Sequence, residues 1–508
     1  MPLKPIILQG EQKRVLFLQV TEPIQIKGVA GSGKTTVALY RAKHLLDTQS
    51  NLFQEAKVAI FTYNKTLVKY ISAIKPYVSG GYKEDSDEII PSRPIGIMGV
   101  NVINFDKWAY QFIETHRPNL RPLFQKTVTG SNQMNILLSA ISAYKNEKIV
   151  LNKSPDFFLE EIIWMKGKVY KNKEEYLDAK RTGRGTSDRV SRIDKEVIWS
   201  IYTSYNKLLE ERQLFDFADY ALESLKILNE KTSISRPFTH LIIDEAQDLS
   251  KAQILVLSQL VSDETKSISI IADAAQRIYK SGFTWGEVGL NVRGGRTIAF
   301  KKNYRNTKQI AYAAKSLLDK ETDNEDFTEI EPVREGKTKP VIGYFSNWNE
   351  QCAFLLKELQ KLKGENNIYS TVILHRNHNG IRNIKYILET NNFIVQELLK
   401  AEDIDFESDS IKVCTLSSVK GLEFDKVFIV DLNDDVIPYP AGFNDSNDDF
   451  HISTERRLLY TSMTRARENL FLLTSGKPSR YLAEIDETLI EKVGTSIVSK
   501  SIVDDLPF

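Results

Sequence analysis

Cysteine is nearly absent. Cys352 and Cys414 are the only two in 508 residues, far apart and without metal-ligating neighbours at short spacing, which excludes a disulfide framework and a zinc site of ordinary spacing. Long apolar runs are missing too. Leu241–Ile243 and Ile268–Ala272 are bounded by charge within a few residues, far short of the roughly 20 that a bilayer span needs, so no membrane partner is expected. Met1–Leu8 lacks the long apolar stretch and small-residue cleavage site of a signal peptide, so a cytoplasmic location is expected. Neither sign of charge dominates: 68 basic residues face 67 acidic ones. Any contact with a polyanion must therefore come from local placement of charge. The six histidines are scattered and no G-x-S-x-G or H-E-x-x-H pattern occurs, which sets aside the acyl-transfer and zinc-hydrolase classes these motifs mark. His240 reads as structural.

What is present is a repeated grammar of short β-rich run, polar or glycine turn, and helical pattern, the mark of an α/β fold with parallel sheets. Ile24–Lys27, Lys57–Phe61, Leu241–Ile243 and Ser267–Ala272 form one series of runs. Val341–Phe345, Thr371–Leu374, Lys412–Leu416, Val427–Val430 and Leu470–Leu472 form a second. Strand character disappears between about 112 and 215, where Ile136–Ile141 and Val197–Leu209 have helical apolar spacing. The expected division is a first lobe at 1–111 and 216–296, a helical insertion at 112–215, a second lobe at 297–476, and a tail at 477–508 made of a short helix and an unstructured end. Within the insertion, Lys166–Arg192 carries nine Lys/Arg against four Asp/Glu with Trp164, Tyr170 and Tyr176 interleaved. It reads equally as a nucleic-acid patch and as a solvated helical face.

The chemistry starts at Gly28-Val29-Ala30-Gly31-Ser32-Gly33-Lys34-Thr35, which fits G-x-x-x-x-G-K-[ST] at every fixed position. It follows a strand run and precedes a helical pattern through Ala38, Ala42 and Leu45, the context this phosphate-binding loop requires. Backbone N–H groups of the loop and of Thr36 would cradle phosphates at a helix N-terminus, Lys34 would meet the β/γ-phosphates, and Thr35 would ligate Mg2+. Downstream, Leu241-Ile-Ile-Asp244-Glu245 is an apolar strand ending in two carboxylates. Asp244 is placed to hold Mg2+, and Glu245 to orient and deprotonate an attacking water. ATP and Mg2+ are thus the expected substrate and metal.

The ordered set of segments resembles the UvrD/Rep-like superfamily 1 helicases. The matches are Gln12 within Leu8–Leu16, the phosphate loop, Phe61-Thr-Tyr-Asn64, Asp244–Asp248, Ala272–Tyr279, Asn303-Tyr-Arg305, Val419–Phe424 and Glu455–Arg467. The resemblance implies two RecA-like P-loop NTPase lobes with the helical insertion in the first. It implies that Gln12 reads the adenine edge, Tyr304 stacks on the adenine, Glu423 contacts the ribose, Gln276 senses the γ-phosphate, and Arg305 and Arg465 are the γ-phosphate arginines. It also implies single-stranded DNA or a forked duplex as partner, met by Thr62, Asn64, Phe105 and Tyr279, with 3′-to-5′ movement. Trp285 reads equally as a stacking platform and as core.

Three positions depart from the family pattern: Ser417 where a histidine is usual, Asn104 for threonine, and Ser281 for tryptophan. Each loses a strand contact. About 115 residues separate Arg305 from Lys420, so the long second-lobe insertion of larger helicases is expected to be missing or vestigial, and the roughly 40 residues after Arg467 are too few for a fused nuclease of typical size. Two further readings follow. One is a nucleic-acid-stimulated ATPase subunit that regulates or recruits a partner such as a nuclease. The other is a protein-remodelling motor of the kind that acts on RNA polymerase, which ranks last because no coiled-coil arm precedes Gly28.

Overall fold

The computed structural model describes residues 7–50, 55–78, 99–144, 148–179, 190–231, 234–273, 275, 283–321, 328–398, 408–439 and 449–494. The first lobe is built on β1 (Ile24–Gly28), β2 (Val58–Thr62), β3 (Asn101–Asn104), β4 (His240–Ile243), β5 (Ser267–Ala272) and β6 (Thr297–Phe300). They pair in the order β3-β2-β4-β5-β1-β6, all parallel. Near-continuous burial of β2, β4 and β5 is what a sheet covered on both faces demands. Their carboxyl ends deliver the phosphate loop, Asp244 and Asp273 to one rim, where open parallel sheets bind ligands.

A two-stranded ribbon of β7 (Lys302–Thr307) and β8 (Glu331–Arg334) leads into the second lobe. There β9 (Val341–Tyr344), β10 (Thr371–His375), β11 (Val395–Glu397), β12 (Ile411–Thr415), β13 (Phe424–Ile429), β14 (Ala466–Thr474) and β15 (Glu491–Val493) form a seven-stranded parallel sheet, ordered β11-β12-β10-β13-β14-β9-β15. The protein is thus an α/β molecule with two parallel-sheet lobes of the RecA-like kind.

The chain leaves the first lobe through a narrow neck. Val128 N–H donates to Phe215 O and Phe215 N–H to Lys126 O, each at 2.8 Å. Beyond it, Val128, Phe158, Trp164, Tyr176, Ile198 and Leu209 belong to a separate helical core. The helix Phe105–His116 stays with the first lobe, since Ala109 and Ile113 pack beside Tyr220 and Leu241.

Two expectations are corrected. In the basic stretch, Lys166, Lys168, Trp164 and Tyr176 are buried. Lys166 is paired with Asp216 at 2.8 Å and Asp219 at 2.6 Å, so its charge is spent on holding helices together, and residues 180–189 lie outside the described part. Residues after Gly476 are no loose tail up to 494: Tyr481, Leu482, Ile485 and Ile490 enter the second lobe's core and β15 pairs with β9. Among the described residues no helix is long and apolar enough to cross a membrane.

Candidate nucleotide site

The phosphate loop takes its shape from two glycines in the left-handed region, Gly31 (φ 74°) and Gly33 (φ 79°), and Gly33 caps the helix Lys34–Gln49. At Gly31 a Cβ would lie 2.1 Å from Asn303 Oδ1, so this residue has to be glycine for the ribbon to approach. Lys34 Nζ donates to Gly28 O and Val29 O at 3.1 Å and pairs with Asp273 at 3.0 Å. Ala30 packs into the second lobe's hydrophobic core, and Val29 N–H donates to Phe300 O. Thr36 follows in the helix's first turn.

Thr35 Oγ1 donates to Asp244 at 3.1 Å. Asp244 is fully buried, and burial followed by repulsion from Glu245 pushes its carboxyl up to about 7. Burial would also raise Glu245, but Lys420, Lys34 and Arg465 together outweigh it and hold this carboxylate well below the usual range. Glu245 adopts φ 54°, a strained conformation for a side-chain-bearing residue that sits where the β4 strand breaks off. Gln247 ties the two acidic segments together: its Nε2 donates to Glu245, and its Oε1 accepts from Asp273 N–H at 3.1 Å.

The second lobe closes the site. Gly31, Gly33, Lys34, Thr35 and Glu245 from the first lobe share one cavity with Arg305, Gly421 and Arg465 from the second. Two asparagines set the arginines in register. Asn303 Oδ1 accepts from the N–H groups of Arg305 (3.0 Å) and Asn306 (2.9 Å), and its Nδ2 donates to Asn306 Oδ1 at 2.8 Å. Asn306 Nδ2 in turn donates to Thr464 O at 3.0 Å and Ala466 O at 2.5 Å, gripping the backbone on either side of Arg465. Arg465 is 1% exposed, and burial, then Arg305, lower its pKa to about 10. Arg305 pairs with Glu423 but leaves its buried Nε without a partner.

These features fit a nucleotide triphosphate with its divalent cation. The mutually repelling guanidiniums of buried Arg465 and partly buried Arg305, and the unpartnered Arg305 Nε and Ser32 Oγ, call for an anion. A hydroxyl and a carboxylate at Thr35 and Asp244 are the hard oxygen donors that Mg2+ prefers, and it commonly completes its shell with phosphates and water. Among the described residues no three His, Cys, Asp or Glu form a metal cage.

At the site's outer end, Gln12 Nε2 donates to Ser32 O at 2.6 Å while its Oε1 accepts from Gln9 N–H. Tyr304 lies alongside: its Oη accepts from Glu11 N–H at 3.2 Å, and its own N–H donates to Gly31 O at 2.9 Å. The residues expected to read the base therefore meet beside the loop. Glu423 is held low by Arg305 and Arg467 against the raising effect of burial.

Residues 8–285 match the UvrD/REP helicase N-terminal domain, and residues 298–406 and 391–477 match the UvrD-like helicase C-terminal domain. The chain belongs to the UvrD/REP helicase family. ATP-dependent DNA helicase UvrD1 of Mycobacterium tuberculosis is 22% identical over 401 residues, 74% of this chain and 48% of that protein. A probable DNA helicase of Mycoplasma pneumoniae is 20% identical over 516 residues, 94% of this chain and 87% of that protein. ATP-dependent DNA helicase Rep of Buchnera aphidicola is 37% identical over 117 residues, 21% of this chain and 17% of that protein. The chain spans about half the length of the UvrD1 and PcrA relatives it matches.

The strand-contact residues that the helicase resemblance suggested are less uniform. Asn64 caps the helix Lys65–Ile74 and its Nδ2 reaches Lys420 O at 3.1 Å. Thr62 is fully buried with Oγ1 unpartnered. Phe105 is corrected: its ring is wholly inside the first lobe's core against Trp108, so it offers no face to a base. Trp285 is half-buried and packs edge-on against Phe283. Asn104 has a positioning role, capping the helix Phe105–His116 and donating to Tyr63 O at 2.5 Å. Gln276, Tyr279 and Ser281 lie outside the described residues. Sequence reasoning missed Asp273, Gln247, Asn306 and Lys420 as site residues. All four stand inside or beside motif segments, but nothing in their spacing tells which partner each finds across the fold.

Proposed function

We propose that this protein is an ATP-driven motor that translocates along single-stranded DNA in the 3′-to-5′ direction and unwinds duplex. The observation that carries the proposal is the shared cavity, in which Lys34, Thr35 and Glu245 of one lobe face Arg305 and Arg465 of the other. Hydrolysis then depends on how the lobes stand to each other, which is what a stepping motor needs. In this reading Lys34 and the loop N–H groups bind the phosphates of ATP, with Gln12 and Tyr304 at its base and Glu423 at its ribose. Thr35 and Asp244 hold Mg2+, which when bound neutralises phosphate charge. Glu245 orients the attacking water and takes its proton, Gln276 senses the γ-phosphate, and Arg305 and Arg465 stabilise charge developing on the transferred group.

The test is ATP hydrolysis by purified protein without polymer, with single-stranded DNA and with RNA. Lys34→Ala and Glu245→Gln are expected to abolish turnover while leaving the melting transition in place. Normal strand-stimulated hydrolysis by Lys34→Ala would refute the assignment.

A second reading is favoured by one observation, the burial of Phe105 inside the first lobe's core, where it offers no face to a base. Here the chain is an ATPase subunit that acts with a partner such as a nuclease. DNA-stimulated hydrolysis without opening of a forked duplex until that partner is added supports it; unaided unwinding rejects it.

A further inference from the structure

Lys420 stands on the second lobe, in the turn that follows β12, yet its ammonium is spent on the first. It lies 2.5 Å from Asp248 and 3.6 Å from Glu245, and all three side chains are buried. The turn is pinned to the first lobe by neighbouring contacts as well. Asn64 Nδ2 donates to Lys420 O at 3.1 Å. Gly421, at φ +85°, presses so close to Leu67 that a Cβ would come within 2.6 Å of the leucine side chain. Tyr70, three residues further along the same helix, packs against the hydrophobic cores of both lobes.

From this geometry we propose that Lys420 is a positioning residue acting as a latch: with the lobes as they stand here, it engages the Glu245 carboxylate, and a shift of its turn relative to the helix Lys65–Ile74 releases it. The proposal rests on the reading of Glu245 as the general base. Gln247 Nε2 already donates to that carboxylate, and Lys420 adds a second, charged neighbour. Both neighbours fall on the same oxygen, Oε2, so the carboxylate is held in place by Gln247 from the first lobe and by Lys420 from the second. A buried ion pair also resists partial separation, because either charge left alone in the interior is penalised. Release then requires a rearrangement of the lobe contact, and a ligand that spans both lobes can supply one. Lobe movement and the freedom of Glu245 become a single event.

The measurement is the ATP turnover rate with and without a thymidine oligonucleotide, for unaltered protein, Lys420→Met, Lys420→Arg and Asp248→Asn, each checked by thermal melting. Lys420→Met is expected to raise the strand-independent rate by about tenfold and to collapse the stimulation ratio. Lys420→Arg, which keeps the charge, should hold the stimulation ratio closer to the unaltered value than Lys420→Met does. Asp248→Asn, which weakens the nearer of the two ion pairs and shifts the ammonium's pairing towards Glu245, should lower the strand-independent rate. If Lys420→Met does not fold, the direction of the Asp248→Asn effect carries the decision. A parallel fall of both rates in Lys420→Met with the ratio intact overturns the latch and leaves the residue as structural glue. An unchanged or raised strand-independent rate in Asp248→Asn also overturns it. No hydrolysis by the unaltered protein under either condition overturns the reading of the site itself, and the latch with it.

Discussion

At Arg465, one side chain is asked to remain charged, buried and aimed. Its Nε donates to Thr461 O at 2.8 Å and one terminal nitrogen to Thr464 Oγ1 at 3.2 Å, while Asn306 holds the flanking carbonyls. A lysine has neither the planar fork nor the reach of donors to keep that arrangement. Arg465→Lys is therefore expected to behave nearly as Arg465→Ala, each lowering the turnover number by about a thousandfold or more, the scale set for arginine fingers. Their comparison in steady-state hydrolysis checks this, and full rescue by lysine would mean that charge alone suffices.

His240 presents the opposite case, a base kept neutral. It is buried in β4 with Nε2 unpartnered, and burial, then Arg41, lower its pKa to about 4. An unfolded histidine titrates near 6.5. Between these values the unfolded chain takes up a proton that the folded chain refuses, so stability declines as pH falls from about 6.5 towards 4. His240→Leu is expected to flatten that part of the melting-temperature profile. An identical slope in the variant would place the acid sensitivity elsewhere.

At the level of elements, the helical insertion is joined to the first lobe by a buried charge. Lys166, on the helix Pro155–Lys168, pairs with Asp216 and Asp219 at the start of the helix Phe217–Glu230. Burial, then the neighbouring Asp216, push Asp219 up to about 6. Removing one partner of such a group strands the others, at a cost of about 3–5 kcal/mol. Lys166→Met should lower stability to denaturant by this order, and adding Asp219→Asn should recover part of it. A loss below 1 kcal/mol would show that the joint is hydrated.

Elements also show what the sequence could and could not say. β2 and β4 were legible because burial on both faces writes near-continuous apolar runs, and β1 and β5 because isoleucines recur in short β-rich segments that end at a glycine or polar turn. β3, with the burial sequence exposed, half, half, buried over Asn-Val-Ile-Asn, and β15, a three-residue edge, carry no such run. The phosphate loop could be read because its chemistry is contiguous. Asp273 and Lys420 find their partners across 239 and 172 positions of chain, a pairing that only the folded sheets determine. Arg305 and Arg465 came from resemblance. Phe105 was misplaced because an aromatic residue beside a strand end looks the same in a string of letters whether it faces outward or inward.

For the whole molecule, the two lobes are fastened at several points: Asn303 against Gly31, Lys420 against Glu245 and Asp248, and Gly421 against Leu67. Every one of these lies within or next to a segment proposed to bind phosphate or to support the proposed catalytic carboxylates. These fastenings tie the site to the lobe contact, so a change at the site bears on how the halves meet.

The end of the second lobe has a practical consequence for taking the protein apart. A chain cut at Gly476, the point where composition suggests a tail begins, loses Tyr481, Leu482, Ile485 and Ile490 from the core and bares the outer edge of β9. Exposed apolar surface beside an open strand edge invites intermolecular pairing. Such a fragment is expected to be recovered in the insoluble fraction, whereas one ending after Gly494 is expected to stay monodisperse on size exclusion. Equal solubility of the two would show that the last strand is dispensable. Domain-dissection and fusion junctions are best set beyond that strand, which acts as the selvedge of the second sheet.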